Sequence, residues 1–367
     1  MSQTFVSVVG ARPNFMKLAP LAHALAARTE VRHVVVHTGQ HYDAEMSDAF
    51  FRDLDIPLPD CNLGVGSGSH AQQTAAVMQR LEPLCIETRP DVVIVYGDVN
   101  STMAAALVAA KLGVRVAHVE AGLRSRDWSM PEEINRVVTD RVSDLLFAPS
   151  RDAVANLCAE GIGVERIHFV GNVMIDSLIA ALPAARAADA PARYGVGRGR
   201  PYTLVTLHRP SNVDDPATLR RLVESLAALA ADAPVLFPVH PRTRARIEAL
   251  GLGPSCAAAL RWLPPVPYVE MLSLTLAAGV VVTDSGGLQE ETTYLGVPCV
   301  TVRAQTERPI TCREGTNRLV LPDAGAIERA AADARSHRPL VPPVLERWDG
   351  HAAERMAGVL CDGARFS

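Results

Sequence analysis

Cysteine is sparse and shows no pairing pattern. Seven cysteines, at positions 61, 85, 158, 256, 299, 312 and 361, form an odd set without C-x-x-C spacing. That pattern argues against a disulfide framework or a cysteine zinc site, and reduced thiols in a cytoplasmic protein are expected. Long hydrophobic runs are missing too, none reaching the roughly 18 residues of a membrane-spanning helix. The first residues move straight into a strand pattern, so no signal peptide is expected. Long blocks of one charge sign are absent and the formal net charge is −4, so no dedicated nucleic-acid surface is expected. No cluster of His, Cys and Asp has metal-ligand spacing, and no metal is expected.

One further absence is local. Gly10 follows the apolar run Thr4-Phe-Val-Ser-Val-Val9, where a dinucleotide fold would place G-x-G-x-x-G. Ala11, Arg12, Pro13 and Phe15 stand there instead, so a nicotinamide cofactor is not expected. The turn carries two cations, Arg12 and Lys17, whose purpose the rest of the chain must explain.

What is present is a globular α/β pattern. Hydrophobic residues make up 48% of 367 residues, enough for a substantial core and two domains of ordinary size. Short β-branched runs at 4–9, 31–37, 91–96, 114–119 and 144–148 alternate with helical patterns at 16–28, 71–89, 101–112 and 133–142. This is the rhythm of a parallel sheet covered on both faces. The stretch 183–201, rich in Ala, Arg, Gly and Pro, breaks the rhythm and reads as a linker or surface excursion. Strands then resume near 202–207, 234–239, 260–263, 279–283 and 298–302. Two Rossmann-like domains are expected, at 1–172 and 173–343, followed by a helical segment at 344–367. Ligands of such folds sit at the carboxyl ends of strands.

Polar residues collect at those strand ends. Thr283-Asp-Ser-Gly-Gly-Leu-Gln-Glu-Glu291 follows an apolar strand, and its glycines expose backbone N–H groups at a helix start, where an anion is favoured. Ser285 there serves equally well as an ordinary N-cap. Asp98, in Tyr96-Gly-Asp-Val-Asn-Ser-Thr102, points into a cleft or caps the next helix. Glu120, in His118-Val-Glu-Ala-Gly-Leu-Arg124, ends the neighbouring strand. Two carboxylates so placed would raise one another's pKa if close, which suits acid/base work. Glu132 has a strong structural alternative, since Ser129 with Glu132 matches a capping box and Glu132 with Arg136 an i,i+4 surface pair. His208 and His240 end strands of the second half, where a histidine either meets phosphate or is simply hydrogen-bonded.

As an ordered set these stretches resemble one family, the non-hydrolysing UDP-N-acetylglucosamine 2-epimerases. The motifs are Gly10-Ala-Arg-Pro-Asn-Phe-Met-Lys17, Gly39-Gln-His41, Gly97-Asp98, Val119-Glu-Ala-Gly-Leu-Arg124, Pro131-Glu-Glu-Ile-Asn-Arg136, Asp284-Ser-Gly-Gly-Leu-Gln-Glu-Glu291, Glu307-Arg-Pro309 and Gly315-Thr-Asn317. The resemblance implies a glycosyltransferase-B-like fold, with a nucleotide sugar in the interdomain cleft and the C-terminal helix crossing back to the first domain. It also implies a homodimer and no cofactor. The implied reaction inverts C2 of UDP-N-acetylglucosamine by eliminating UDP to an enzyme-bound 2-acetamidoglucal and adding it back. Carried over by position, Asp98, Glu120 and Glu132 are acid/base candidates, while Arg12 and Lys17 stabilise the departing phosphate. Arg136 orients the sugar side and His208 the phosphate side. Ser285, Gly286 and Gly287 hold the diphosphate, Glu291 the ribose, and the Pro267–Met271 segment the uracil. Arg308 completes the UDP site.

The chain also departs from the commoner bacterial pattern. Ala11 and Asn14 replace Thr and Glu in the first motif, and Gln72 stands where many members have an arginine before Gln-Thr. The family's substrate-activation site uses residues of these Gln-His and Arg-Gln-Thr stretches, so weak activation is expected. The Gln40-His-Tyr-Asp43 form also resembles relatives acting on UDP-2,3-diacetamido-glucuronic acid. A hydrolysing 2-epimerase, a glycosyltransferase using the same cleft and a nucleotide-sugar-binding module without turnover are the remaining readings.

Overall fold

The computed structural model describes residues 3–39, 56, 58–197, 199–253, 260–323 and 325–363, with Arg12 described for its backbone alone. Two compact units emerge, Met1–Ala180 with Glu346–Ser367, and Ala181–Leu345.

The first unit is built on strands β1 (Gln3–Val9), β2 (Val31–His37), β3 (Cys61–Asn62), β4 (Val92–Tyr96), β5 (Arg115–Val119), β6 (Leu145–Ala148) and β7 (Ile167–Phe169). All pair in parallel, in the order β3-β2-β1-β4-β5-β6-β7. Helices α1 (Arg12–Ala26), α2 (His70–Thr88), α3 (Asn100–Lys111), α4 (Pro131–Val142), α5 (Arg151–Ala159) and α6 (Val173–Ala188) follow β1, β3, β4, β5, β6 and β7. Every residue of β4 is buried, as an apolar strand in a sheet covered on both faces must be. Val6, Val8, Val93 and Val95 pack on Leu81, Ala105 and Val108 of α2 and α3.

In the second unit lie α7 (Ala190–Arg193), β8 (Thr203–Thr206), α8 (Pro210–Val213), α9 (Pro216–Leu229), β9 (Val235–Pro238), α10 (Pro241–Ala249), β10 (Leu260–Leu263), α11 (Tyr268–Ala277), β11 (Val280–Thr283), α12 (Gly286–Leu295), β12 (Cys299–Val302), α13 (Ile310–Arg313), β13 (Asn317–Val320) and α14 (Ala326–Ser336). Its parallel sheet runs β10-β9-β8-β11-β12-β13. The last helix, α15 (Ala352–Gly363), belongs to the first unit. Asp176 caps it, accepting from Ala353 N at 2.8 Å and Ala352 N at 3.3 Å.

Two sequence expectations need correction. The stretch 183–201, expected as a linker or surface excursion, begins as helix and packs inward: α6 continues through Pro183 to Ala188, α7 follows at once, and Ala190 and Val196 are buried. The alanines after Pro183 are strong helix formers, and they carry the helix past the one residue that interrupts its ladder. Strands β3, β7 and β13 were not expected. Each lies at a sheet edge, and Asn62, His168, Asn317 and Arg318 deprive these short segments of an apolar signature.

Strand order sets where each unit can bind. In the first sheet the order reverses between β1 and β4, in the second between β8 and β11. Connections leave such a point in opposite directions and open a crevice at the carboxyl ends of the two central strands. Gly10 and Gly97-Asp98 stand at one such point, His208 and Asp284-Ser285 at the other.

Candidate active site

In the first unit, close backbone packing brings the strand ends together. A Cβ on Gly10 would lie 2.3 Å from Ser101 Oγ and 2.8 Å from Thr38 Oγ1, so only glycine lets α3 start against the end of β1. Asn14 closes the first turn, its Oδ1 accepting from Ala11 N at 3.0 Å and its Nδ2 donating to Tyr96 O at 2.8 Å. Gly97, with φ +66°, leaves room for the Lys17 ammonium, which a Cβ there would meet at 2.8 Å. Lys17 Nζ forms a short ion pair with Glu120 Oε2, and the two residues are only 5% and 7% exposed. Glu120 itself has φ +74°, a conformation that costs a non-glycine residue on the order of 1–3 kcal/mol and persists only where the surroundings impose it.

Asp98 does not cap α3. Val99 is the N-cap residue, and Asp98 Oδ2 pairs with Arg136 NH1 instead. Each of these two carboxylates therefore has a cation as its charged partner. The capping box proposed for Ser129 and Glu132 is not formed either. Met130 is the N-cap residue of α4, and the Ser129 hydroxyl donates to Asp127 at 2.6 Å. Nor does Glu132 pair with Arg136, which turns to its other neighbour. Glu133 Oε2 accepts from Arg136 Nε at 2.9 Å and from Ser125 N at 3.0 Å, while Oε1 accepts from Arg126 N at 2.8 Å. Burial pushes the Glu133 carboxyl up, but these donors outweigh it and hold it below the ordinary range. Glu132 is half-buried, and among the described residues it has no hydrogen-bond or ion-pair partner.

The second unit gathers groups suited to an anion. Asp284, fully buried at the end of β11, accepts from Arg209 N at 2.9 Å, Asn212 Nδ2 at 3.0 Å and His208 Nδ1 at 2.9 Å. Burial pushes its carboxyl up, yet His208 and the other donors hold it below the ordinary range. The imidazole is thus fixed at Nδ1 with its side chain 53% exposed, which leaves Nε2 for a ligand. Ser285 is the N-cap residue of α12 but makes no side-chain cap bond, so its hydroxyl is not spent on the helix. Gly286 lets Arg308 come close, since a Cβ there would meet Arg308 NH1 at 2.6 Å.

Arg303, Arg308 and Arg209 converge on buried Glu307, with Arg303 NH2 at 2.7 Å and Arg209 NH2 at 3.6 Å. Burial pushes Glu307 up, but the three guanidinium groups hold it far below its ordinary range. Glu291, by contrast, is pushed by burial up to about 7. It accepts from Tyr268 OH at 3.1 Å. Met271 packs partly buried against the core around Tyr202 and Leu274. Among the described residues no group of three or more His, Cys, Asp or Glu is arranged to hold a metal ion, and no helix is long and apolar enough to cross a membrane.

Comparison with known proteins then places the chain. The family model described as UDP-N-acetylglucosamine 2-epimerase matches residues 23–361. The chain belongs to that family. It is 45% identical over 320 residues to the UDP-2,3-diacetamido-2,3-dideoxy-D-glucuronate 2-epimerase of Pseudomonas aeruginosa, covering 86% of this chain and 87% of that protein. Identity to the UDP-N-acetylglucosamine 2-epimerase of Methanocaldococcus jannaschii is 42% over 319 residues, covering 85% and 87%. The crystal structure of the M. jannaschii UDP-GlcNAc 2-epimerase in complex with UDP-GlcNAc and UDP aligns with a TM-score of 0.88 at 38% identity, over 98% of this chain and all of that one. Membership makes the chain an isomerase.

Within the family's frame, the structure brings Lys17, Asp98, Glu120 and Arg136 to the strand ends of the first unit, with Glu132 opening α4. Ser285, Gly286 and Gly287 stand at the start of α12, with Glu291 in its second turn, near His208 and Arg308. The Arg12 side chain and the residues Gln40, His41 and Asp43 lie outside the described residues. Sequence reasoning missed Asn14, Glu133, Arg209 and Arg303 as site-forming residues. Only the buried Glu307, four residues after Arg303, marks that arginine as more than a strand-end charge.

Proposed function

We propose that the chain reversibly epimerises C2 of UDP-N-acetylglucosamine, giving UDP-N-acetylmannosamine. The observation that carries this reading is the pairing of Lys17 with Glu120 and of Arg136 with Asp98 at the strand ends flanking the β1/β4 switch. A C2–H beside a saturated carbon is very weakly acidic, so departure of the leaving group leads. The C1–O bond breaks with its electron pair going to UDP. A carboxylate takes the C2 proton, and the C–H electrons close the C1=C2 bond of a 2-acetamidoglucal. Return of UDP oxygen to C1, with a proton delivered to the other face of C2, completes the inversion. Two faces require more than one acid/base group. Asp98 and Glu120 each face a cation, and Glu132 supplies a third carboxylate.

Arg209, Arg303 and Arg308 beside the start of α12 supply positive charge for the diphosphate, and Arg303 NH1 is a buried donor without a partner among the described residues. Glu291 takes a ribose hydroxyl. Arg136 acts on the sugar through Asp98. By the same family likeness the enzyme works as a cytoplasmic homodimer. Sedimentation at twice the 39.3 kDa chain mass tests that point.

The 45% identity to a diacetamido-glucuronate epimerase supports a second substrate reading, in which the same chemistry acts on UDP-2,3-diacetamido-glucuronic acid. Both compounds are incubated with the enzyme in deuterated water and followed by NMR. The first reading expects a UDP-linked C2 epimer of UDP-N-acetylglucosamine carrying deuterium at C2. Turnover of the diacetamido compound alone selects the second. Free N-acetylmannosamine plus UDP indicates a hydrolysing enzyme, and a product that keeps its original C2 proton favours an oxidation–reduction or shielded-transfer route.

A further inference from the structure

Helix α4 carries more than candidate acid/base groups. Asp140, in its third turn, is 0% exposed, and its carboxylate gathers donors from β5 and the turn after it. His118 Nδ1 lies at 2.6 Å, Gly122 N at 3.0 Å and Arg124 NH1 at 2.7 Å. His118 is also 0% exposed, with Nε2 2.8 Å from the carbonyl oxygen of Gly97. Two of these donors, His118 and Gly122, flank Glu120, the residue held at φ +74°. The carbonyl that His118 binds belongs to the residue just before Asp98.

The Gly97 carbonyl can only accept, so His118 donates to it from Nε2 and presents Nδ1 to the Asp140 carboxylate. Burial pushes the Asp140 carboxyl up, but His118 and Arg124 outweigh it and hold it below the ordinary range. Arg124 NH2 also meets Glu160 Oε2 at 2.7 Å. A buried carboxylate with its donors in place is tolerated in an interior, whereas one stripped of its partners is not.

We propose that Asp140 and His118 are positioning residues for the epimerisation: together they hold the β5 turn in the left-handed conformation that aims Glu120 at Lys17, and through Gly97 they tie that turn to the one presenting Asp98. Both are too deeply buried to meet a substrate. The inference rests on the reading of Glu120 as an acid/base group. A purely stabilising pair would leave kcat of the folded enzyme unchanged. A positioning pair sets the placement of a reacting carboxylate, and misplacement by about 1 Å can cost on the order of 100-fold.

The test compares His118→Gln, Asp140→Asn and Glu120→Gln in steady-state epimerisation, with gel filtration and near-UV circular dichroism reporting folded protein. The first two variants are expected to lower kcat by about 10- to 100-fold while KM stays within about threefold. His118→Gln leaves Gly122 and Arg124 bonded to Asp140, so it carries the test where Asp140→Asn does not fold. A folded His118→Gln with kcat within about twofold of the parent, or with a change confined to KM, overturns the proposal. Should Glu120→Gln keep parental kcat, the reading of Glu120 itself fails. An inactive Glu120→Gln beside a parental His118→Gln sinks the positioning role alone.

Discussion

Removing one partner of the Lys17–Glu120 pair has two separable consequences. Glu120→Gln leaves the Lys17 ammonium, 5% exposed, without its countercharge. A broken buried pair costs about 3–5 kcal/mol, most of it the desolvation of the charge left behind. For a folding unit of this size each kcal/mol lowers the melting midpoint by about 2–4 °C, so a fall of roughly 6–20 °C is expected. The double variant Lys17→Met/Glu120→Gln removes both charges and keeps the volume, and it should recover most of that loss. Activity behaves otherwise. Loss of an acid/base group costs on the order of 10²–10⁴ in kcat, and restoring stability does not restore a proton acceptor. Urea denaturation and deuterium incorporation at C2, measured on parent, single and double variants, separate the two effects. A double variant as unstable as Glu120→Gln refutes the stranded-charge account. A double variant that regains parental kcat along with its stability refutes the catalytic one.

Three further outcomes are expected. Glu132→Gln should shift the melting midpoint by no more than a few degrees, because Met130 rather than a Ser129/Glu132 box starts α4, yet lower kcat on the order of 10²–10⁴-fold; a near-parental kcat removes Glu132 from the acid/base set. Burial raises the Glu291 carboxyl from 4.5 to about 7, so its contribution to stability is complete below pH 4.5 and is lost as pH rises through 7. Glu291→Gln should therefore stabilise the protein at pH 8 by up to about 3 kcal/mol while raising KM, as read by urea melts at pH 5 and pH 8; equal gains at both pH values contradict this. Gln72 is occupied in a capping box with Ser69, its Oε1 3.0 Å from Ser69 N, so the reverse reaction should start without added UDP-N-acetylglucosamine; a lag abolished by a trace of that compound shows the activation site is intact.

The strand ends were legible because apolar runs stop abruptly there. Val92-Val-Ile-Val-Tyr96 gives way to Gly97-Asp98, and Val280-Val-Val to Thr283-Asp-Ser-Gly, a change visible without any partner. Which of two adjacent side chains turns inward was not legible. Glu132 and Glu133 share the first turn of α4 about 100° apart, and spacing favoured pairing Glu132 with Ser129 and Arg136. Asp127 takes the Ser129 hydroxyl, however, and the Ser125–Arg126 backbone offers its N–H groups to Glu133 alone. Arg136 follows Glu133, and Asp140 lies seven residues beyond it on the same face. That stripe of charge resembles a solvated helix face until β5 is known to lie behind it. The same holds for Lys17 and Glu120, which are 103 residues apart in the chain. Local order in the sequence shows that each ends a strand or begins a helix. Only the sheet order, with β4 between β1 and β5, brings a lysine from the first helix against a carboxylate two strands away and gives Lys17 of the opening motif its partner.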